Sequence, residues 1–135
     1  MRAVFLDASL WLEALSPKMS RHEIANARLA EALRGQLAIV TTSLVIAEVH
    51  AMVVRRMGPS VGRRVLDEAL GAGFFVVYPD AELIKAAVHG WVRRFSDQAF
   101  SMCDAVSFEV MRREKITKSL AFDRHFATAG FEIVS

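Results

Sequence analysis

Short runs of apolar residues alternate along this chain with longer stretches that have helical periodicity. Four runs have the length and composition of strands covered on both faces, at 3–7, 37–40, 74–79 and 131–134. A less regular strand is predicted within 115–123, ending near Asp123. The predicted helices are at 10–15, 21–34, 43–57, 60–71, 80–95, 102–115 and 124–129. This alternation predicts an α/β fold with a central parallel sheet of about five strands.

The segment 43–54 is ambiguous between strand and helix. Its valines and isoleucine favour a strand, whereas its length and the flanking pairs Thr42-Ser43 and Gly58-Pro59 favour a helix. We expect a helix. Its apolar residues lie nearly all the way round, as on a helix that is covered by the sheet and also by a second subunit. The pattern therefore predicts a homodimer.

Length and composition limit the class of protein. A chain of 135 residues predicts a single domain, 1–135. Asp7 interrupts the N-terminal apolar run too early for a signal peptide, and no apolar stretch approaches the ~20 residues of a membrane span. We therefore expect a cytoplasmic protein with no membrane contact. Cys103 is the only cysteine, which excludes an intrachain disulfide and a multi-cysteine zinc site, and we expect it to be a buried apolar residue.

Arginine dominates the positive charge of the chain. Thirteen of the 17 basic residues are Arg, and eight of them form adjacent pairs, at 55–56, 63–64, 93–94 and 112–113. Arginine suits bidentate phosphate contact, although any one pair is also explained by a solvated helix face or by ion pairs. Arg112, Arg113 and Arg124 are the candidate substrate-binding residues.

Two acidic residues follow predicted strands. Asp7 ends the first strand and is followed by Ser9, whose hydroxyl is a candidate cap for the next helix. Asp123 ends the fourth strand in the same way. Each is also explained by a helix cap or a first-turn acid. Ligands of open α/β sheets bind at the carboxyl ends of the strands, so together they indicate a site.

Two more carboxylates lie on predicted helices. Glu48 lies within an almost wholly apolar helix, where burial of a carboxylate requires a cation or an ion pair with an arginine. Asp104 lies three residues after Ser101, in the pattern of a capping box at a helix entrance. Capping alone explains Asp104, but a first-turn carboxylate is also able to face the edge of the sheet.

Four converging carboxylates match the preference of Mg²⁺ or Mn²⁺ for oxygen ligands and disfavour zinc. Such a site activates water and stabilises the charge that develops on a phosphodiester. With four acids withdrawn into it, the remaining surface carries an excess of positive charge, which suits a nucleic-acid backbone.

The order and spacing of four motifs resemble the PIN domain over essentially the whole chain. The motifs are Asp7-Ala8-Ser9, Thr42-Ser43 to Glu48, Ser101 to Phe108 (S-x-x-D-A-x-S-F) and Phe122 to Phe126 (F-D-R-H-F). The resemblance implies a three-layer α/β/α fold with a metal-binding, catalytic quartet of Asp7, Glu48, Asp104 and Asp123. Ser9, Thr42, Ser43 and Ser101 would support that quartet.

Small stand-alone PIN proteins of this length resemble VapC toxins of VapBC toxin–antitoxin systems. That resemblance implies a homodimeric endoribonuclease that depends on Mg²⁺ or Mn²⁺ and hydrolyses RNA with metal-activated water. A VapB-like antitoxin would cover its acidic groove. The chain departs from many relatives at Leu120-Ala121, where they carry a threonine. His125 matches the family pattern, and we expect it to have a packing role.

Other functions remain open from the sequence. A receiver-type signalling domain usually needs adjacent acids after the first strand and a late lysine, and a haloacid-type phosphatase needs D-x-D, where this chain has Asp7-Ala8-Ser9. Both are disfavoured. A PIN nuclease of RNA processing and a non-catalytic RNA-binding module remain alternatives.

Overall fold

Five parallel strands form a single sheet. The computed structural model describes residues 2–134. The strands are β1 (Ala3–Leu6), β2 (Ala38–Thr42), β3 (Phe75–Val77), β4 (Lys118–Leu120) and β5 (Glu132–Val134). Their spatial order is β3-β2-β1-β4-β5, and every neighbouring pair is parallel. The predicted α/β fold with five parallel strands is confirmed.

Helices connect the strands and flank the sheet. They are α1 (Ala8–Leu15), α2 (His22–Arg34), α3 (Ser43–Met57), α4 (Pro59–Ala69), α5 (Ala81–Ala87), α6 (Met102–Glu114) and α7 (His125–Thr128). The helical interpretation of 43–54 is confirmed. The predicted helix at 80–95 begins as α5 and continues as a π-helix over Val88–Arg93. Within residues 2–134, no helix has the length and hydrophobicity to cross a bilayer.

The hydrophobic core lies on both faces of the central strands. Phe5 and Leu6 of β1 and Ile39 of β2 are fully buried, as expected for strands covered on both sides. Phe108 of α6 and Phe126 of α7 pack edge to face in this core, with ring centroids 5.0 Å apart. The edge strands β3 and β5 are only partly covered, so the prediction of two covered faces is wrong for them.

The apolar surface of α3 is covered largely within the chain. One side of the helix packs on β2 and α1, and α4 folds back against another side. A side chain at Gly62 of α4 would come within 2.7 Å of Val54 Cγ2, so only glycine permits this close approach. Contacts within the chain therefore account for much of the apolar surface of α3, and the homodimer stays a prediction.

Strand β4 ends at Leu120, three residues earlier than predicted. The Asp7 amide donates to the Leu120 carbonyl at 3.0 Å, which completes the ladder between β1 and β4. The next amides, of Phe122 and Asp123, donate instead to the Ser9 hydroxyl. Because a side chain takes over these donors, Asp123 lies in a loop that α1 holds in place.

Candidate active site

Four carboxylates surround one cavity at the carboxyl ends of the central strands. Its volume is about 140 Å³, and Asp7, Ala8, Ser9, Leu12, Glu48, Met52, Asp104 and Asp123 line it. Asp7 follows β1, Asp123 lies in the loop after β4, and Glu48 lies on the helix that follows β2. These strands are neighbours and parallel, so their ends meet at one edge. The structure thus brings all four predicted acids together.

Asp7 is nearly inaccessible to solvent, with 5% of its surface exposed. The Ser9 hydroxyl donates to Asp7 Oδ2 at 2.6 Å, and the Ser9 amide donates to the same oxygen at 3.1 Å. The residue that caps α1 is therefore Asp7, and the prediction that Ser9 caps this helix was wrong. Burial raises the pKa of Asp7 to about 6, the bonds from Ser9 lower it, and the charge of Asp104 raises it further.

Ser9 joins two parts of the site. While donating to Asp7, its hydroxyl oxygen accepts the backbone amides of Phe122 at 2.9 Å and of Asp123 at 3.2 Å. Every hydrogen-bonding position of this hydroxyl is thus used. Ser9 therefore fixes the loop that carries Asp123 relative to the end of β1.

Glu48 is exposed, which corrects the expectation that it is buried in an apolar helix. The helical pattern placed it among apolar residues, but its own turn of α3 faces the mouth of the cavity. Thr42 caps α3 through a 3.2 Å bond from the Val45 amide to its hydroxyl. Ser43 is the first residue of α3, and its side chain makes no hydrogen bond to the other described residues. Thr42 and Ser43 thus lie beside the site without lining its cavity.

Asp104 both caps α6 and lines the cavity. Its Oδ2 accepts the Ser101 amide at 3.1 Å, and the Ser101 hydroxyl accepts the Asp104 amide at 3.0 Å, so the predicted capping box is present. The same Oδ2 lies 3.1 Å from His125 Nδ1. Within residues 2–134, Oδ1 has no hydrogen-bond partner, which leaves it available to a cation. Asp104 is therefore able to cap α6 and to face the cavity at the same time.

His125 lies inside the acidic cluster, which the sequence analysis missed. Its Nδ1 lies 3.5 Å from Asp123 Oδ1, and its amide donates to that oxygen at 2.9 Å. Its ring also packs edge to face on Phe100, at 5.2 Å between centroids, so a packing role is present as well. One ligand atom each from Asp104, Asp123 and His125 lie within 4.8 Å of one another. The signal in the sequence was its position, two residues after Asp123.

Cys103 lies beside Glu48 but is no nucleophile. Burial raises the pKa of its thiol well above the ordinary value of 9.0, and the nearby charge of Glu48 raises it further. The thiol is therefore protonated at neutral pH.

Arg112 and Arg113 do not line the cavity and are engaged in ion pairs, and their assignment as substrate contacts stays a prediction. They are eight and nine residues after Asp104 on α6, about 12 Å along the helix axis. Both guanidinium groups pair with the buried Glu109, at 2.7 and 2.8 Å, and Arg113 also pairs with Glu82 at 2.9 Å. Hydrogen bonds from these arginines, led by Arg112, lower the pKa of Glu109 to about 2. Arg112 and Arg113 thus have a structural role, which is to compensate the charge of the buried Glu109.

The donors around the cavity fit a divalent cation of the Mg²⁺ or Mn²⁺ type. Four carboxylates and one imidazole supply oxygen-rich coordination. In the described part of the chain, no lysine or arginine forms an ion pair with any of these four acids. Because no cationic side chain offsets the burial of Asp7 or the nearby charge of Asp104, the pKa of Asp7 is raised.

Comparison with known proteins identifies the family. The family model described as "PIN domain" matches residues 4–132. The chain belongs to the PIN-domain family. It is 29% identical over 128 residues to the 23S rRNA-specific endonuclease VapC20 of two Mycobacterium tuberculosis strains, covering 95% of both chains. The resemblance deduced from the four motifs is confirmed.

Solved structures agree with this assignment. The crystal structure of Mycobacterium tuberculosis VapC20, described as a sarcin–ricin loop cleaving toxin, matches with a TM-score of 0.87 at 29% identity, covering 96% of each chain. FitAcB from Neisseria gonorrhoeae matches with a TM-score of 0.62 at 12% identity, covering 98% of this chain and 96% of that one, which shows the fold alone. A receiver domain has the strand order 2-1-3-4-5. The order β3-β2-β1-β4-β5 of this PIN domain excludes that alternative.

Proposed function

We propose that this PIN domain is a metal-dependent endoribonuclease of the VapC toxin type. The observation that carries the proposal is the convergence of Asp7, Glu48, Asp104 and Asp123 on one cavity. By analogy with VapC20, the proposed substrate is the sarcin–ricin loop of 23S rRNA. We accordingly propose a cytoplasmic location.

Three carboxylates would hold Mg²⁺ or Mn²⁺, with His125 beside them. Asp7 is fixed by Ser9, while Asp104 and Asp123 each use one oxygen for local hydrogen bonds, and their other oxygens accept none from the described residues. When bound, the cation supplies Lewis-acid stabilisation of the phosphate and a lowered pKa for attacking water. The fixed positions of these side chains mean that little rearrangement is needed on binding.

Glu48 has a different proposed role, because it is the exposed member of the quartet. Its carboxylate is free of ion pairs within the described chain and lies at the mouth of the cavity, where water has access. We assign to Glu48 the acceptance of a proton from water at a carboxylate oxygen. Arg124, exposed between Asp123 and His125, remains a candidate for contact with the substrate phosphate.

Cleavage of a synthetic stem–loop RNA with the sarcin–ricin sequence tests the proposal. We expect cleavage within the loop in Mn²⁺ or Mg²⁺, none in excess EDTA, and recovery when Mn²⁺ is restored. A stem–loop with a scrambled loop sequence is the matched control. Cleavage that persists in EDTA would contradict metal dependence. Equal cleavage of both RNAs would favour a broader RNA-processing nuclease. Binding of the RNA without cleavage would favour a non-catalytic RNA-binding module.

A VapB-like antitoxin is the proposed regulatory partner. The uncompensated carboxylates of the cavity offer a binding site for a basic side chain of such a protein. Addition of the purified antitoxin should abolish cleavage of the stem–loop RNA. Undiminished cleavage in a stoichiometric complex would contradict this mode of inhibition.

We propose that homodimerisation uses the edge of the sheet at β3. The largest exposed apolar side chains near this strand are Leu70, Phe75 and Tyr78, with 55%, 56% and 66% of their surfaces exposed. Exposed apolar side chains of this size at the edge of a sheet are candidates for an interface contact. The wild type should have the mass of two chains in light scattering, and Phe75→Glu should have the mass of one. Ile24→Glu, at an exposed position of α2, should remain dimeric, and a monomeric wild type would refute the proposal.

A further inference from the structure

A second cavity lies one helical turn beyond the active-site cavity, along helices α1 and α3. Its volume is about 560 Å³, and Ser16, Pro17, Lys18, Met19, Arg56 and Met57 line it. The two helices start from the neighbouring strands β1 and β2 and pack against each other. Leu12 and Met52 line the inner cavity, and Ser16 and Arg56, one turn further along each helix, line the outer one. We call these two neighbouring cavities together the α1–α3 trough.

Charge changes sign along the trough. Its inner end carries the four carboxylates, whereas its outer end carries the exposed side chains of Lys18 and Arg56. Unlike the pair at 112–113, neither Lys18 nor Arg56 forms an ion pair within residues 2–134. Their charges are therefore available to a ligand.

The length of the trough fits a short stretch of nucleic acid. Arg56 lies eight residues after Glu48 on the same helix, which is about 12 Å along its axis. A stacked strand covers that distance in about three or four nucleotides, at roughly 3.4 Å each. The floor between the two ends is apolar, formed by Leu12 and Met52. A strand whose scissile phosphate lies at the carboxylates would thus bring a later phosphate to the basic end.

We propose that Lys18 and Arg56 form a subsite for a backbone phosphate of the RNA, three to four nucleotides from the scissile bond. This inference rests on the proposed ribonuclease function and adds the path of the strand. The guanidinium of Arg56 suits bidentate contact with phosphate oxygens, and Lys18 supplies a second positive charge. At this distance the two cations attract the strand without neutralising the carboxylates that would hold metal.

Salt-dependent RNA binding tests the subsite. The probe is a fluorescein-labelled single-stranded RNA of about twelve nucleotides, measured by anisotropy in EDTA so that no cleavage occurs. Loss of this one phosphate contact should reduce the slope of log K against log salt by about 0.7. We therefore expect this reduction for the double variant K18A/R56A, and about half of it for K18A or R56A alone.

The matched control is R2A/R34A, which removes two exposed arginines before β1 and β2, at the opposite edge of the sheet. Its slope should equal that of the wild type, and thermal melting should show that all variants are folded. If K18A/R56A binds with an unchanged slope, the subsite inference fails while the ribonuclease proposal stands, and the trough is left to a protein partner. A wild type that binds no RNA in low salt would overturn both.

Discussion

Replacement of Asp7 by asparagine should raise the free energy of unfolding of the metal-free protein by about 3 kcal/mol at pH 7. Burial raises the pKa of this carboxyl from 3.8 to about 6, so ionised Asp7 destabilises the folded state. Asparagine removes the charge and keeps an oxygen that accepts the bonds from Ser9. It also keeps the cap of α1, because asparagine is among the best capping residues.

The stability difference between Asp7→Asn and wild type should depend on pH, because it arises from the raised pKa of Asp7. Because the folded state binds the Asp7 proton more tightly than the unfolded chain, wild-type stability falls as pH rises from about 4 to about 6. Above pH 6 the loss is complete. The advantage of Asp7→Asn should therefore be full at pH 7 and absent at pH 4 and below. Urea unfolding of both proteins across this range measures it.

Added Mn²⁺ should reverse the order of the two proteins. A cation that binds only the folded wild type stabilises it by about 4.1 kcal/mol at a thousandfold excess over its Kd, which exceeds the advantage of the metal-free variant, and the variant should lose most of this gain. Asp67→Asn, which removes an exposed acid of α4, is the control and should change neither stability nor the response to metal. Equal stability of Asp7→Asn and wild type at pH 7 would refute the destabilisation that we assign to the buried charge of Asp7.

Most of the fold was predictable because the central strands follow a simple rule. Phe5 and Ile39 belong to continuous apolar runs, and their burial on both faces of a parallel sheet follows from that pattern. The run that contains Phe75 looks the same, yet it forms an edge strand and leaves this side chain exposed. Strand order arises from long-range packing, so local hydrophobicity does not reveal which strand lies at the edge.

The site was predictable to the extent that its residues follow strand ends. Asp7 and Asp123 come directly after β1 and shortly after β4, and the rule for parallel sheets brought them together. The rule says nothing about an imidazole, so His125 was given only a packing role. The burial of Glu48 was wrongly predicted, because periodicity alone does not show that its turn of α3 faces the cavity mouth.

Arg112 and Arg113 show a different limit of prediction from the sequence. Glu109 precedes them by three and four residues, a spacing that favours ion pairs on a helix and was visible in the sequence. Their second partner, Glu82 of α5, comes close only through the packing of α5 on α6. A basic pair is therefore better evidence for nucleic-acid binding where its charge is unpaired, as the charge of Arg56 is among residues 2–134.

Substitution of Asp104 by asparagine should abolish RNA cleavage, with a loss of at least about a hundredfold. Asparagine is nearly isosteric and keeps an oxygen that accepts the Ser101 amide, so the capping box should survive. What it loses is one negative charge beside Asp7 and Asp123. In the metal-free protein, relief of repulsion on Asp7 opposes the weakened contact with His125, and the two stabilities should differ by no more than about 1 kcal/mol.

Ser101→Ala is the matched variant, because it removes the other half of the capping box and leaves the carboxylate of Asp104 in place. It should cost about 1 kcal/mol of stability, the usual contribution of a serine cap, and should keep both RNA cleavage and the stabilisation by Mn²⁺. Asp104→Asn should show the opposite result for RNA cleavage and for the stabilisation by Mn²⁺. If instead both variants lose stability and both still cleave the stem–loop RNA, Asp104 is a helix cap only. The metal would then have to be held by Asp7, Glu48 and Asp123 without it.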